Sequence, residues 1–186
     1  MNVDIEKIKR RLLIKYPSFG SVIANTNFIE EKRMYSNKIP TLGTDGSNIY
    51  YHPDAINSVT EEEKLFLFAH EICHIAFNHI LRREGKDKKL WNIATDAVIN
   101  ALLNKDGLPL TKYSINMPEA VNYDAEELYN KLLNEKNKYL IEPNSNDKKS
   151  LEDFDYDNHN IWEKETCENT KEDDTLEEKV KKISQK

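Results

Sequence analysis

The feature that most constrains this chain is the stretch His70-Glu71-Ile72-Cys73-His74, an H-E-x-x-H motif. Residues four apart lie on one face of an α-helix about one turn apart, so on a helix His70 and His74 can bind the same cation. Glu71, the next residue round the helix, can then reach a water bound to that cation. The motif predicts a helix that carries two zinc ligands, His70 and His74, and a general base, Glu71.

The residues around the motif have the pattern of a buried helix. Residues 60–63 form a capping box, and the apolar residues that follow cover most of the helix circumference. Arg82, Arg83 and Gly85 are typical of a helix C-terminus, so we expect the helix to end there. We expect Cys73, between the two histidines, to be a small buried hydrophobe rather than a ligand.

A third ligand is predicted on the following helix, over residues 90–104. Asn92, Asp96 and Asn100 are spaced four apart on this otherwise apolar segment, so they form one polar stripe. Buried polar groups cost free energy unless they have partners, and a metal ion with its histidines would provide them. We expect Asp96 to be the third ligand, with the alternative that it only hydrogen-bonds a ligand histidine. Asn92 and Asn100 are expected to be such outer partners, because neutral amides are poor zinc ligands.

The other histidines are weaker candidates. His79 lies five residues beyond His74, roughly 140° round the helix, and no glycine between them turns the chain back. We therefore expect His79 to be a structural hydrogen-bonding residue. His52 and His159 stay open as outside candidates for the third ligand, His159 only if the C-terminal segment folds back over the site.

The remaining pattern predicts an α+β fold that is mostly helical, with a small antiparallel sheet beside the H-E-x-x-H helix. Asp45-Gly46 is a hairpin turn signal between β-favouring residues, so residues 38–44 and 48–52 are predicted to pair. Residues 22–30 are open between a strand and a short helix. Amphipathic helices are predicted over residues 3–16 and 124–133.

Composition divides the 186 residues into a domain over residues 1–135 and an acidic tail or linker over residues 136–186. Residues 141–186 hold 14 acidic and 8 basic residues, which accounts for the whole formal charge of −6. We expect this tail to be largely flexible, with residues 154–162 as a docked patch and residues 176–183 as a short helix. A neutral body gives no electrostatic reason to expect nucleic acid or an anionic membrane as partner.

The sequence favours a cytoplasmic location for the protein. No apolar run approaches the roughly 20 residues that span a bilayer, and the N-terminus lacks the basic start and apolar core of a secretory signal. Two cysteines, Cys73 and Cys167, do not make a disulfide framework, so a reducing compartment is expected.

Several segments of the chain together resemble a known family. They are Thr44-Asp45-Gly46, Ile49-Tyr50-Tyr51-His52-Pro53, Ala69-His70-Glu71-Ile72-Cys73-His74, His79, Arg82-Arg83, Trp91-Asn92-Ile93-Ala94-Thr95-Asp96-Ala97-Val98-Ile99-Asn100 and Ala125-Glu126-Glu127-Leu128-Tyr129. The family that they resemble is the bacterial putative metallopeptidase domain that precedes a VWA-like domain. The similarity runs from about residue 17 to residue 133. It implies a zincin-like fold and a zinc peptidase with His70, His74 and Asp96 at the metal positions and Glu71 at the base.

The resemblance also implies a partner, a VWA-like domain and with it an ATPase. The chain leaves no room for a VWA-like domain before Lys186, so we expect either the peptidase portion of a longer protein or a stand-alone version.

The expected function is hydrolysis of a peptide or protein substrate with Zn²⁺ as cofactor. The first alternative is a catalytically inactive, zinc-stabilised binding module that works with a VWA-like partner. A second alternative is an enzyme inhibited by its own acidic tail. The regulator-cleaving H-E-x-x-H peptidases of bacteria and mobile elements rank lower, because they lack the segment over residues 91–100.

Overall fold

A computed structural model of the chain describes residues 3–32 and 42–141, with side chains up to residue 135. Within these ranges the fold is α+β and mostly helical, with one small sheet, as predicted. The helices are α1 Ile5–Lys15, α2 Gly20–Asn25, α3 Pro53–Asn57, α4 Glu61–Ala76, α5 Lys88–Lys105 and α6 Ala125–Ile141. The strands are β1 Asn27–Glu30, β2 Leu42–Thr44 and β3 Asn48–Tyr51.

The predicted hairpin is confirmed for β2 and β3, which pair antiparallel. At the turn, the Asp45 carboxylate accepts hydrogen bonds from the backbone N–H of Ser47 at 2.8 Å and from the Tyr50 hydroxyl at 2.7 Å. Gly46 has a φ of 96°, which an L side chain rarely adopts. Residues 38–41 of the predicted first strand lie outside the described residues.

The prediction of a purely antiparallel sheet is wrong, because β1 joins β3 in parallel and the strand order is β1-β3-β2. Residues 22–30, which the pattern left open, contain both structures: α2 ends at Asn25 and β1 begins at Asn27. Phe28 stacks on Phe68 of α4 with ring centroids 5.5 Å apart, which ties β1 to the core beside β3. Parallel neighbours are never joined by a tight turn, so no local turn signal could indicate this pairing.

The start of α4 follows the prediction closely. The Thr60 hydroxyl accepts a hydrogen bond from the backbone N–H of Glu63 at 3.2 Å, and the Glu63 carboxylate accepts one from the backbone N–H of Thr60 at 2.9 Å. This reciprocal capping box satisfies two N–H groups that the first turn leaves without intrahelical partners. Ion pairs from α1 also reach this end, and Lys7 lies 2.7 Å from Glu61.

The prediction that α4 ends at Arg82, Arg83 and Gly85 is wrong, because the helix stops at Ala76. The basic pair lies instead in a short 3-10 helix, Leu81–Arg83. These residues have helix-terminating character, but the helix they terminate is this later, shorter one.

The early end of α4 has a local cause at Asn78, whose φ of 53° is left-handed. Asparagine adopts this conformation more readily than most residues other than glycine. The backbone N–H of Asn78 donates to the Ile75 carbonyl, and that of His79 donates to the His74 carbonyl, both at 3.1 Å. These two bonds form a Schellman motif, which turns the chain back over the last turn of the helix.

Helix α5 connects the two apolar clusters of the described residues. Ile99 and Leu103 belong to the cluster that includes α1, the sheet and α4, whereas Trp91 and Ala97 belong to the cluster that includes α6. Helix α5 packs against both α4 and α6, and Asp96 and Asn100 of its polar stripe are buried. The folded chain therefore holds the second half of α4 directly against the middle of α5.

Most of the predictions for the C-terminal part of the chain concern residues outside the described ranges. Helix α6 is helical to Ile141, so the predicted limit at residue 135 lies within it. The division into a domain and a flexible tail stays a prediction, and residues 154–162 and 176–183 lie outside the described residues. Within the described ranges, no helix combines the length and apolar character needed to cross a bilayer.

Candidate metal centre

Three side chains from two helices converge at the α4–α5 interface. His70 and His74 on α4 and Asp96 on α5 each direct one ligand atom to the same point, and these atoms lie within 4.8 Å of one another. The two Nε2 atoms of the histidines are 2.8 Å apart. Asp96 Oδ1 lies 3.1 Å from His74 Nε2 and 3.6 Å from His70 Nε2. The structure thus brings together the three residues that the sequence predicted as ligands.

The arrangement fits a small metal ion. An ion that binds four ligands tetrahedrally at about 2.0–2.1 Å separates its ligand atoms by about 3.3 Å. The observed separations of 2.8, 3.1 and 3.6 Å bracket that value. The donors are two imidazole nitrogens and one carboxylate oxygen, which suits a cation of intermediate softness.

The burial of these ionisable groups favours a cation bound between them. His70 is 5% exposed, His74 0% and Asp96 6%, and the neighbouring Glu71 is 2% exposed. Ionisable groups removed from water in this way destabilise a fold unless charge or hydrogen bonding compensates them. A cation between the three ligand atoms provides that compensation.

His70 is oriented by an amide on α5. Its Nδ1 lies 2.9 Å from Asn100 Oδ1, and Asn100 Nδ2 donates to the Ile115 carbonyl at 3.1 Å. The second bond fixes which end of the amide faces His70, so His70 Nδ1 is the donor and its Nε2 carries a lone pair. The prediction that Asn100 is an outer partner of a histidine is confirmed by this contact.

His74 is contacted from the other side by a third histidine. His79 Nδ1 lies 3.1 Å from His74 Nδ1, and the indole N–H of Trp91 donates to the His79 carbonyl at 2.8 Å. Burial lowers the pKa of His79 to about 2, and the positive charge of the nearby Arg82 acts in the same direction. The prediction that His79 is a hydrogen-bonding residue is confirmed by these contacts. The predicted position of its side chain was wrong, because it assumed that the helix continues beyond Ala76.

The other candidates lie elsewhere. Cys73 belongs to the apolar cluster, and burial, followed by the charge of Glu71, raises the pKa of its thiol to about 12. His52 is buried at the start of α3 and does not belong to the convergent group found within the described residues. His159 lies outside the described residues. Asn92 was predicted as an outer partner, but its buried Oδ1 has no hydrogen-bond partner in the described part of the chain.

The fold and the site together have the donor set of a metal-dependent hydrolase, with an adjacent carboxylate in an H-E-x-x-H helix. The chain matches the family described as a putative metallopeptidase domain over residues 2–186, so it belongs to that family. The family description implies a metal ion, and His70, His74 and Asp96 are the residues positioned to bind one.

The chain is also similar to an uncharacterized protein of Thermotoga maritima, with 28% identity over 100 residues. The similar region covers 51% of this chain and 25% of that protein, so the chain matches about a quarter of its curated relative's length. No solved structure matches the chain.

Proposed function

We propose that this protein is a zinc-dependent metallopeptidase of zincin-like fold. His70, His74 and Asp96 hold the zinc, and Glu71 is the general base. The observation that carries the proposal is the convergence of three buried ligand atoms from α4 and α5 in a chain of the metallopeptidase family. Two imidazoles and one carboxylate are a set that zinc takes at catalytic sites, where a fourth position is left for water.

The chemistry follows from the order of residues in α4. Zinc, when bound, lowers the pKa of a water towards about 7 and polarises a substrate carbonyl. Glu71 directly follows the ligand His70 and is as buried as the ligands are, so its carboxylate acts where water is scarce. It accepts the proton of the attacking water and then donates that proton to the amine that leaves.

The substrate in this proposal is a peptide or protein of the cytoplasm, and a VWA-like domain or an ATPase is the proposed partner. The family description supports a peptide-bond substrate. The acidic character of residues 141–186 agrees with the absence of nucleic acid from the proposed partners.

The experiment compares the wild-type protein with Glu71→Gln on a broad peptide library, after zinc loading of both. Because a general base contributes about 10²–10⁴-fold, the variant should lose at least about 100-fold in rate while its zinc content is unchanged. Equal inactivity of two folded, zinc-loaded samples would remove the enzyme proposal. Equal activity would remove only the role of Glu71.

One observation favours a second candidate, a catalytically inactive binding module stabilised by zinc. The ligands and Glu71 are at most 6% exposed, which is also expected of a metal site that only supports the fold. In that case zinc raises the melting temperature, by binding the native state alone, without any turnover of the library. A VWA-like domain is the partner that this candidate would bind.

A further inference from the structure

The inference concerns how His74 is prepared to bind a metal ion, so it depends on the proposed metal site. His74 Nε2 faces the other two ligand atoms, at 2.8 Å from His70 Nε2 and 3.1 Å from Asp96 Oδ1. A neutral imidazole that binds through Nε2 must carry its hydrogen on Nδ1. Since His74 is fully buried, that hydrogen needs an acceptor within the protein.

The nitrogen facing His74 Nδ1 is His79 Nδ1, at 3.1 Å. Two imidazole nitrogens at this distance form a hydrogen bond only if one carries a hydrogen and the other does not. If His74 Nδ1 is the donor, His79 Nδ1 is the acceptor and the hydrogen of His79 is on its Nε2. The tautomer of one ring therefore sets the tautomer of the other.

His79 is held firmly enough to act as a fixed acceptor. The Schellman motif ties the His79 backbone N–H to the His74 carbonyl, and the Trp91 indole N–H donates to the His79 carbonyl at 2.8 Å. Trp91 is fully buried, and its ring meets the His79 ring edge-on with centroids 5.9 Å apart. The Trp91 ring also contacts Lys86, whose ammonium lies 4.5 Å from the ring centroid.

We propose that His79 is a positioning residue of the metal centre: its Nδ1 accepts a hydrogen bond from His74 Nδ1 and so keeps His74 Nε2 available to the metal. The left-handed Asn78 makes this possible, because it returns the chain to the ligand one residue before His79. The two ligand histidines are then supported differently, His70 by the amide of Asn100 and His74 by a neutral imidazole.

The test uses two variants of the full chain. His79→Asn keeps an acceptor oxygen near the position of Nδ1, whereas His79→Leu removes the acceptor and keeps an apolar volume. Loss of an outer partner of a metal-ligating histidine typically weakens metal binding 10–100-fold, so we expect that loss for Leu and less than about threefold for Asn. Zn²⁺ affinity is measured by competition with a chromophoric chelator, and Co²⁺-loaded samples are compared by their visible absorption spectra.

We expect the Co²⁺ spectrum of His79→Leu to differ from wild type and that of His79→Asn to resemble it. A purely structural residue would lower the melting temperature of the metal-free protein without changing affinity or spectrum. The metal-free melting temperature is therefore measured for each variant. Equal affinities and spectra for wild type and a folded His79→Leu would overturn the inference.

A measurement on the wild-type protein avoids the variants altogether. In ¹⁵N NMR spectra of the zinc-loaded chain, His74 should have a protonated Nδ1 and His79 an unprotonated one. A protonated His79 Nδ1 would overturn the inference even if His79→Leu does not fold. If the wild type binds no metal ion, the proposed function fails together with this inference, whereas normal wild-type binding with an unaffected His79→Leu removes the inference alone.

Discussion

The two ends of α4 are built in different ways. The first turn lies in solvent and is held by groups close in sequence, the Thr60–Glu63 capping box, with surface ion pairs such as Lys7–Glu61. The last two turns are buried and are held by α5, whose Asn100 contacts His70 across 30 positions of the chain. One helix thus begins on local signals and ends in a site that only the tertiary fold completes.

The difference matters energetically. A capping residue contributes about 1 kcal/mol to stability, and an exposed ion pair contributes about 0–1 kcal/mol. The buried end does the opposite in the absence of a ligand, because desolvated histidines and carboxylates cost free energy. We expect changes at the first turn to affect stability alone and changes at the buried end to affect metal binding.

The largest loss of zinc affinity at the buried end of α4 is expected from His74→Ala. Zinc sites have binding free energies on the order of 10 kcal/mol, so removal of one of three ligands should cost about 3 kcal/mol, or over 100-fold in affinity. The zinc affinity is measured by competition with a chelator. His52→Ala is the matched control, since it removes another buried histidine that lies outside the convergent group. An equal loss in both variants would show that the ligands are wrongly assigned.

A smaller effect is expected from Asn100→Ala, which removes the acceptor for His70 Nδ1. Zinc affinity should fall about 10–100-fold, because His70 loses the bond that fixes its orientation. Asn104→Ala, one turn later at the exposed C-terminal end of α5, is the control and should leave affinity unchanged. Unchanged affinity in a folded Asn100→Ala would contradict the role of the α5 stripe.

The smallest effect is expected at the other end of the helix, from Thr60→Ala. Loss of the cap should lower the free energy of unfolding by about 1 kcal/mol, as measured by urea denaturation of the metal-free protein. Thr60→Ser keeps the hydroxyl and should lose much less. Zinc affinity should match wild type in both variants. A lowered affinity in Thr60→Ala would mean that the two ends of α4 are not independent.

The same contrast explains what the sequence could predict. The capping box, the Asp45-Gly46 hairpin and the i, i+4 spacing of His70 and His74 are local patterns, and all three reappear in the structure. Asp96 and Asn100 could be found as well, because a polar stripe on an apolar helix needs partners and α5 has only a few neighbours that can provide them.

The features that the sequence did not predict depend on single residues or on distant pairing. The end of α4 is set by Asn78, whose backbone is left-handed. Asparagine adopts this conformation only in some contexts. A helix that continued past Ala76 would place His79 away from His74, whereas in the structure the two rings are in contact. The parallel pairing joins β1 to β3, two strands between which β2 lies in the chain, and no spacing rule indicates it.

The central claim, that His70, His74 and Asp96 share one ion, is tested most directly by the metal content of wild type and Asp96→Ala. Both are loaded with zinc, dialysed against a weak chelator and measured by plasma mass spectrometry, with far-UV circular dichroism to establish folding. The account predicts about one zinc per wild-type chain and a small fraction of that in the variant, since a ligand is lost. Equal zinc in the two folded proteins, or none in the wild type, would contradict it.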